Sequence, residues 1–160
     1  MGISGRQSEY VQFFSALLTD LRRTAPFRVR TSVPRGLNYY KVAGLPTQGR
    51  DVVETSVVFT QSKQFMIEFY IDTGQKDQNK QIFDALQARR KIIEAEFGVP
   101  LTWERLNDKR GSRIAYFRDS FITDSEKNLS ELRTWAVEAM IRLYPIMDTH
   151  VSDVMKALEA

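Results

Sequence analysis

Residues 54–72 read ETSVVFTQSKQFMIEFYID, and the reading of this stretch decides the fold. Glu54–Thr60 is rich in β-branched and aromatic side chains. Phe65–Asp72 alternates strictly, with Phe65, Ile67, Phe69 and Ile71 on one side and Met66, Glu68, Tyr70 and Asp72 on the other. A period of two with one apolar side is the pattern of a strand buried on one face. The four residues between them, Gln61-Ser62-Lys63-Gln64, are short enough to join the two strands as an antiparallel hairpin.

Toward the N-terminus, Tyr10, Val11, Phe14, Leu17, Leu18 and Leu21 recur at three- and four-residue steps. That spacing predicts a helix over about 6–24, opened by Ser4 with Gln7 or by Ser8, and stopped by Pro26. Pro26, Pro34, Gly36, Gly44, Pro46 and Gly49 then favour turns and short strands. One strand is expected over Leu37–Val42, with Tyr39 and Tyr40 on opposite faces. Toward the C-terminus, Asp77 is expected to cap one long helix over roughly 77–97, buried along Ile82, Phe83, Leu86, Ile93 and Phe97 and ended by Gly98 and Pro100. Leu101–Leu106 and Ser112–Arg118 predict a second hairpin. Asp124 or Ser125 opens another helix along Leu129, Leu132, Trp135, Ala136, Ala139, Met140 and Leu143. Pro145 is expected to break or kink it, leaving 145–160 as a short C-terminal helix. The whole order predicts a single α+β domain over 1–160. Its antiparallel sheet has about five strands, in two hairpins plus an extra strand, covered on one face by three to four helices.

Composition narrows the chemistry. With 42% hydrophobic and 27% charged residues in a chain of 160, a packed core is affordable and a disordered chain is excluded. No uncharged apolar run is long enough for a transmembrane helix, so no membrane partner is expected. The first residues lack the order of a signal peptide, and Arg6 stands where a myristoylation signal wants Ser or Thr. The absence of cysteine removes disulfides, thiolate metal sites and cysteine nucleophiles, and fits a cytoplasmic location. A single histidine, His150, removes schemes that need two; near the end of an amphipathic segment it reads as a surface residue. Neither standard phosphate-cradling loop occurs.

Nuclease chemistry is the sharpest test. A restriction-type site needs an Asp on one strand and Glu/Asp-x-Lys on the next, so that two carboxylates hold Mg²⁺ and the ammonium steadies the attacking water. Asp51 and Glu68 have about the right separation, but the residue two after Glu68 is Tyr70. Glu68 and Asp72 share a strand side, yet four residues of strand set their Cα atoms about 13 Å apart, too far to chelate one ion directly. No catalytic residue, metal or cofactor is therefore assigned. The least ordinary feature is charge: residues 1–50 carry eight Lys/Arg against two acids, and between Asp20 and Asp51 seven basic residues stand without one acid. Arg28 and Arg30 alternate on an extended segment, Arg35 follows at a turn, and Tyr39, Tyr40 and Lys41 come next. Guanidinium groups pair with phosphate, and exposed rings stack on bases. These six residues are the candidate surface for nucleic acid or for an acidic protein partner, against the plain reading of a solvated loop.

A longer stretch, residues 67–117, carries a combination of short motifs: Glu68-x-Tyr70-Ile71, Asn79-Lys80, Phe83-Asp84, Lys91-Ile92-Ile93-Glu94, Phe97-Gly98, Leu101-x-Trp103-Glu104-Arg105-Leu106 and Arg113-Ile114-Ala115. In this order they resemble the prokaryotic family catalogued as domain of unknown function 4268, and the flanking helices extend the resemblance over most of residues 8–147. Members stand alone or follow nuclease-like domains. The resemblance thus implies an accessory role in DNA metabolism or defence with a nuclease-type partner, and it transfers no site. Two function classes remain: a non-enzymatic binding module using the basic segment, or a divergent metal-dependent nuclease or nucleotide hydrolase built on Asp51, Glu68, Asp72 and Glu94.

Overall fold

A computed structural model describes residues 5–47 and 50–160, with Pro46, Thr47 and Arg50 described by their backbone alone. Along these residues run α1 (Gly5–Thr24), β1 (Tyr39–Thr47), β2 (Arg50–Phe59), β3 (Phe65–Ile71), α2 (Lys76–Gln87), α3 (Arg90–Phe97), β4 (Thr102–Glu104), β5 (Ser112–Arg118) and α4 (Glu126–Glu159). The strands form one open antiparallel sheet in the order β1-β2-β3-β5-β4. This is the α+β fold that the sequence predicts, with the two expected hairpins and β1 as the extra strand.

The alternation of β3 sets the core. Phe65, Ile67, Phe69 and Ile71 are fully buried, and strand–helix ring contacts are made from their face. Phe59 and Phe65 meet Phe13 of α1, Phe65 and Tyr116 meet Trp135 of α4, and Tyr116 meets Phe97 of α3. The opposite face is not simply wet. Glu68 and Tyr70 are half-buried there, and Met66 is buried. β1 lies at one edge and tolerates Pro46 because an edge strand can lose a ladder donor.

The strands shift from the sequence reading: β1 covers Tyr39–Thr47 rather than 37–42, β2 covers Arg50–Phe59 rather than 54–60, and β4 covers Thr102–Glu104 rather than 101–106. Three helix boundaries also differ, each for a local reason. The helix expected over 77–97 is two helices, turned at Ala88–Arg89, where the Arg89 N–H reaches back only to the Leu86 carbonyl. A straight helix would carry the buried stripe from Leu86 onto Arg89 and Arg90, and the turn takes both cations out of the core. Asp77 lies in the first turn rather than at the cap, which is Gln75 and has no side-chain cap bond. Finally, α4 continues through Pro145 as one 34-residue helix, so 145–160 is not a separate short helix. Pro145 faces solvent, while Leu143, Tyr144, Met147, Val151, Val154 and Met155 are buried on both sides of it. That packing offsets the roughly 3 kcal/mol a mid-helix proline costs. The start of α4 is as expected, with the Ser125 hydroxyl accepting the Asn128 N–H. Ser4, one expected cap of α1, lies outside the described residues, as does Gly49; Ser8 is inside the helix.

Candidate interaction surface beside the edge strand

The four carboxylates weighed for catalysis are held apart by their own partners. Asp51 accepts from Arg30 at 3.2 Å. Glu68 accepts from Arg113 at 3.1 Å, and Arg113 also pairs with Glu104. Burial raises the Glu68 carboxyl above the usual range, against the pull of Arg113. Asp72 takes three bonds from Arg110, one from the Asn79 amide and one from the Gly74 N–H. Arg110 leads these in holding Asp72 below its ordinary value. Glu94 accepts the Leu101 N–H at 2.7 Å and Trp103 Nε1 at 3.0 Å, pinning the start of the β4–β5 hairpin to α3. Burial alone would raise Glu94, but these donors and Arg90 outweigh it and leave its pKa lowered. Among the described residues no group of three or more His, Asp or Glu side chains is placed to hold a metal ion.

Two of these pairings make the fold acid-sensitive in a signed way. A carboxylate with a depressed folded pKa adds stability that is fully present above its unfolded pKa, near 4, and lost as pH falls through the folded value. Asp72 and Glu94 are both of this kind. The Asp72→Asn/Glu94→Gln variant is therefore expected to melt lower than wild type near neutrality and to lose less of its Tm between about pH 5 and 2. Thermal melts across that range check it, and an acid slope identical to wild type would refute it.

A polar cluster inside the molecule escaped the sequence reading. Lys80 is 6% exposed, and its Nζ donates toward the carbonyls of Arg105, Leu106 and Gly111 and the Ser112 hydroxyl at 2.6–3.0 Å. Its neighbour Asn79, also buried, accepts from the Thr73 N–H and hydroxyl and donates to the Arg110 carbonyl. Together they tie α2 to the β4–β5 connection. His150 is likewise buried, not a surface residue; its Nε2 lies 2.6 Å from Glu96 and its Nδ1 3.4 Å from Arg89. Its two partners, Glu96 on α3 and Arg89 at the turn before that helix, explain the burial: a histidine on the packed side of α4 is satisfied by charges brought from its neighbour.

The basic segment runs between α1 and the free side of β1. The Arg30 N–H bonds the Val42 carbonyl, the Tyr40 hydroxyl donates to the Ser32 carbonyl at 2.6 Å, and Asn38 pairs with Phe59. Gly36 adopts φ +82° and passes so close to Gln7 that a Cβ would sit 2.9 Å from that side chain, so glycine is required at this turn. The sequence lacks an acid from Asp20 to Asp51, but the sheet supplies two. Arg30 meets Glu54 and Asp51 at 3.2 Å, and Lys41 meets Glu54 at 3.6 Å. Glu54 foremost raises the Arg30 pKa. Arg28 and Arg35 are exposed and make no ion pair among the described residues. The side chain of Arg50 lies outside those residues. Tyr40 is buried, so a base could stack only on Tyr39. The six candidate residues thus divide: Arg28 and Arg35 free, Arg30 and Lys41 paired with acids, Tyr39 open, Tyr40 structural.

Between this segment and β1 lies a groove of about 540 Å³ lined by Val33, Arg35, Leu37, Tyr39 and Lys41. It adjoins a second hollow of about 450 Å³ that shares Arg30 and holds Arg28. Val33, Leu37 and Tyr39 are three of the five large apolar side chains that are well exposed among the described residues. Tyr39 is opposite Val58, Val58 opposite Met66 and Met66 opposite Phe117, so an apolar row leads from the groove across the sheet face turned away from the helices. No helix of the described residues is long and apolar enough to cross a membrane. A family model described as domain of unknown function (DUF4268) matches residues 10–151, and the chain belongs to that family. No curated protein and no solved structure matches it.

Proposed function

We propose that this member of the DUF4268 family is a non-enzymatic accessory module that binds an anionic macromolecule through the face built by residues 28–41. In the same reading it serves DNA metabolism or defence beside a nuclease-type partner. The observation that carries it is the pair of exposed guanidinium groups with no counter-ion among the described residues, Arg28 and Arg35, flanking a groove with an open aromatic ring. The arrangement is suited to holding an anion, whereas Asp51, Glu68, Asp72 and Glu94 already satisfy arginines and N–H donors of the fold.

The test is fluorescence anisotropy with labelled single- and double-stranded DNA and RNA and with an acidic polypeptide, at about 50 and 200 mM salt, where charge contacts show their salt dependence. At least one of these probes is expected to bind at the lower salt, to weaken at the higher, and to be released by Arg28→Glu/Arg35→Glu with Tm unchanged, since both positions are exposed. No binding of any probe at the lower salt overturns the reading. So does stoichiometric micromolar binding of Mg²⁺ or Mn²⁺ that Glu68→Ala abolishes, which would restore the nuclease.

A further inference from the structure

We infer that the occupant of the groove between residues 30–37 and β1 is an extended, acidic protein segment carrying aliphatic side chains between its carboxylates; this rests on the binding face proposed above and names what it holds. The argument is one of complementarity. The lining offers the cations Arg35 and Lys41 and the apolar Val33, 76% exposed, Leu37 and Tyr39. Leaving three large apolar side chains in water along one groove is the signature of a surface that is covered when it works. Aliphatic side chains do nothing for a phosphate backbone, and they cannot stack on a base. A nucleic-acid strand is read instead by repeated cations and several aromatic platforms. Here one ring is open, Tyr40 is buried, and Arg30 and Lys41 already share Glu54. An acidic chain with apolar side chains at intervals meets every feature at once. Its aliphatic groups cover Val33 and Leu37, and its carboxylates reach Arg35 and, past the shared Arg30, Arg28. The groove follows the edge strand, so the occupant is extended.

The experiment uses three short fluorescein-labelled peptides, Asp alternating with Leu, Asp alternating with Ser and Lys alternating with Leu, together with a single-stranded oligothymidylate of similar length. The full chain is expected to bind the Asp–Leu peptide about tenfold tighter than the Asp–Ser peptide and not to bind the Lys–Leu peptide. Val33→Ser and Leu37→Ser are each expected to weaken the Asp–Leu peptide by about tenfold, with Tm unchanged for Val33→Ser, 76% exposed, and lowered only slightly for Leu37→Ser, 41% exposed. Equal affinity for the Asp–Leu and Asp–Ser peptides overturns the inference. So do indifference to both serine variants and tighter binding of the oligothymidylate than of any peptide. If a polyanion binds through Arg28 and Arg35 while the Asp–Leu peptide has no advantage, this inference falls and the binding face stands. If nothing anionic binds, both fall.

Discussion

Lys80→Ala is expected to cost the fold about 3–5 kcal/mol, the largest effect of any polar substitution in the chain. The ammonium is 6% exposed and is the shared donor for the Arg105, Leu106 and Gly111 carbonyls. Removing it takes this donor from the buried Gly111 carbonyl, while the Arg105 carbonyl keeps the Ser112 hydroxyl and the Leu106 carbonyl keeps the Lys109 N–H. A buried acceptor left unsatisfied costs about 1–3 kcal/mol, and the lost packing of the aliphatic stem adds to it. Burial, first, and the nearby Lys76 and Arg105 pull the Lys80 pKa below the ordinary value, so the oxygen cage holds the ammonium against desolvation. Lys80→Met keeps the aliphatic stem and removes only the donor, so it separates the polar loss from the packing loss. It is expected to retain most of the destabilisation. Lys76→Ala, one turn earlier on α2 and exposed, is expected to change stability by less than about 0.5 kcal/mol. Urea unfolding gives the free energies. Hydrogen exchange should show the loss first in residues 105–112, whose carbonyls and hydroxyl the ammonium binds. A Lys80→Met protein as stable as wild type would mean that the cage is hydrated and that the lysine is not its keystone.

How much of this was legible follows from what each residue needs to know about distant ones. The β2–β3 hairpin, the apolar side of β3 and the Gly98 cap depend on neighbours within a few positions, and the structure repeats them as read. The turn at Ala88–Arg89 was also written locally, in two arginines standing where the apolar stripe falls due, but helical spacing on either side masked it. The continuation of α4 past Pro145 depends on the buried residues that flank it, a tertiary matter that a proline alone does not disclose. The same holds for sites. The basic segment lacks an acid in sequence, yet register brings Glu54 and Asp51 beside Arg30, so three of its six candidate residues, Arg30, Lys41 and Tyr40, lost part or all of their freedom. Asn79 and Lys80 gave one signal: two polar residues three positions ahead of Ile82 and Phe83, on the side of α2 that is buried. The Lys80 partners and the Arg110 carbonyl bonded by Asn79 lie more than twenty residues on, out of reach of any periodicity argument.

Phe69→Ala is expected to cost about 3–5 kcal/mol, the range for deleting a large aromatic from a packed core. Phe69 is fully buried and sits in mid-sheet, opposite Thr55 on β2 and Ile114 on β5. Neither neighbouring strand can close the void without abandoning its ladder, so the cavity term adds in full to the lost transfer energy. The adjacent Glu68 provides the contrast that makes the experiment decisive. Its carboxyl is raised above the usual range by burial, so between the unfolded and folded pKa values stability falls as pH rises, and at neutrality the charge is a net burden there. Glu68→Gln removes that burden and keeps an acceptor for Arg113, which still has Glu104 at 3.2 Å. It is expected to cost no more than about 1 kcal/mol. The two substitutions stand on adjacent residues of one strand and address its opposite faces. Comparable losses from both, measured by denaturant unfolding under one condition, would show that the face carrying Phe65, Ile67, Phe69 and Ile71 is not the one on which the helices pack.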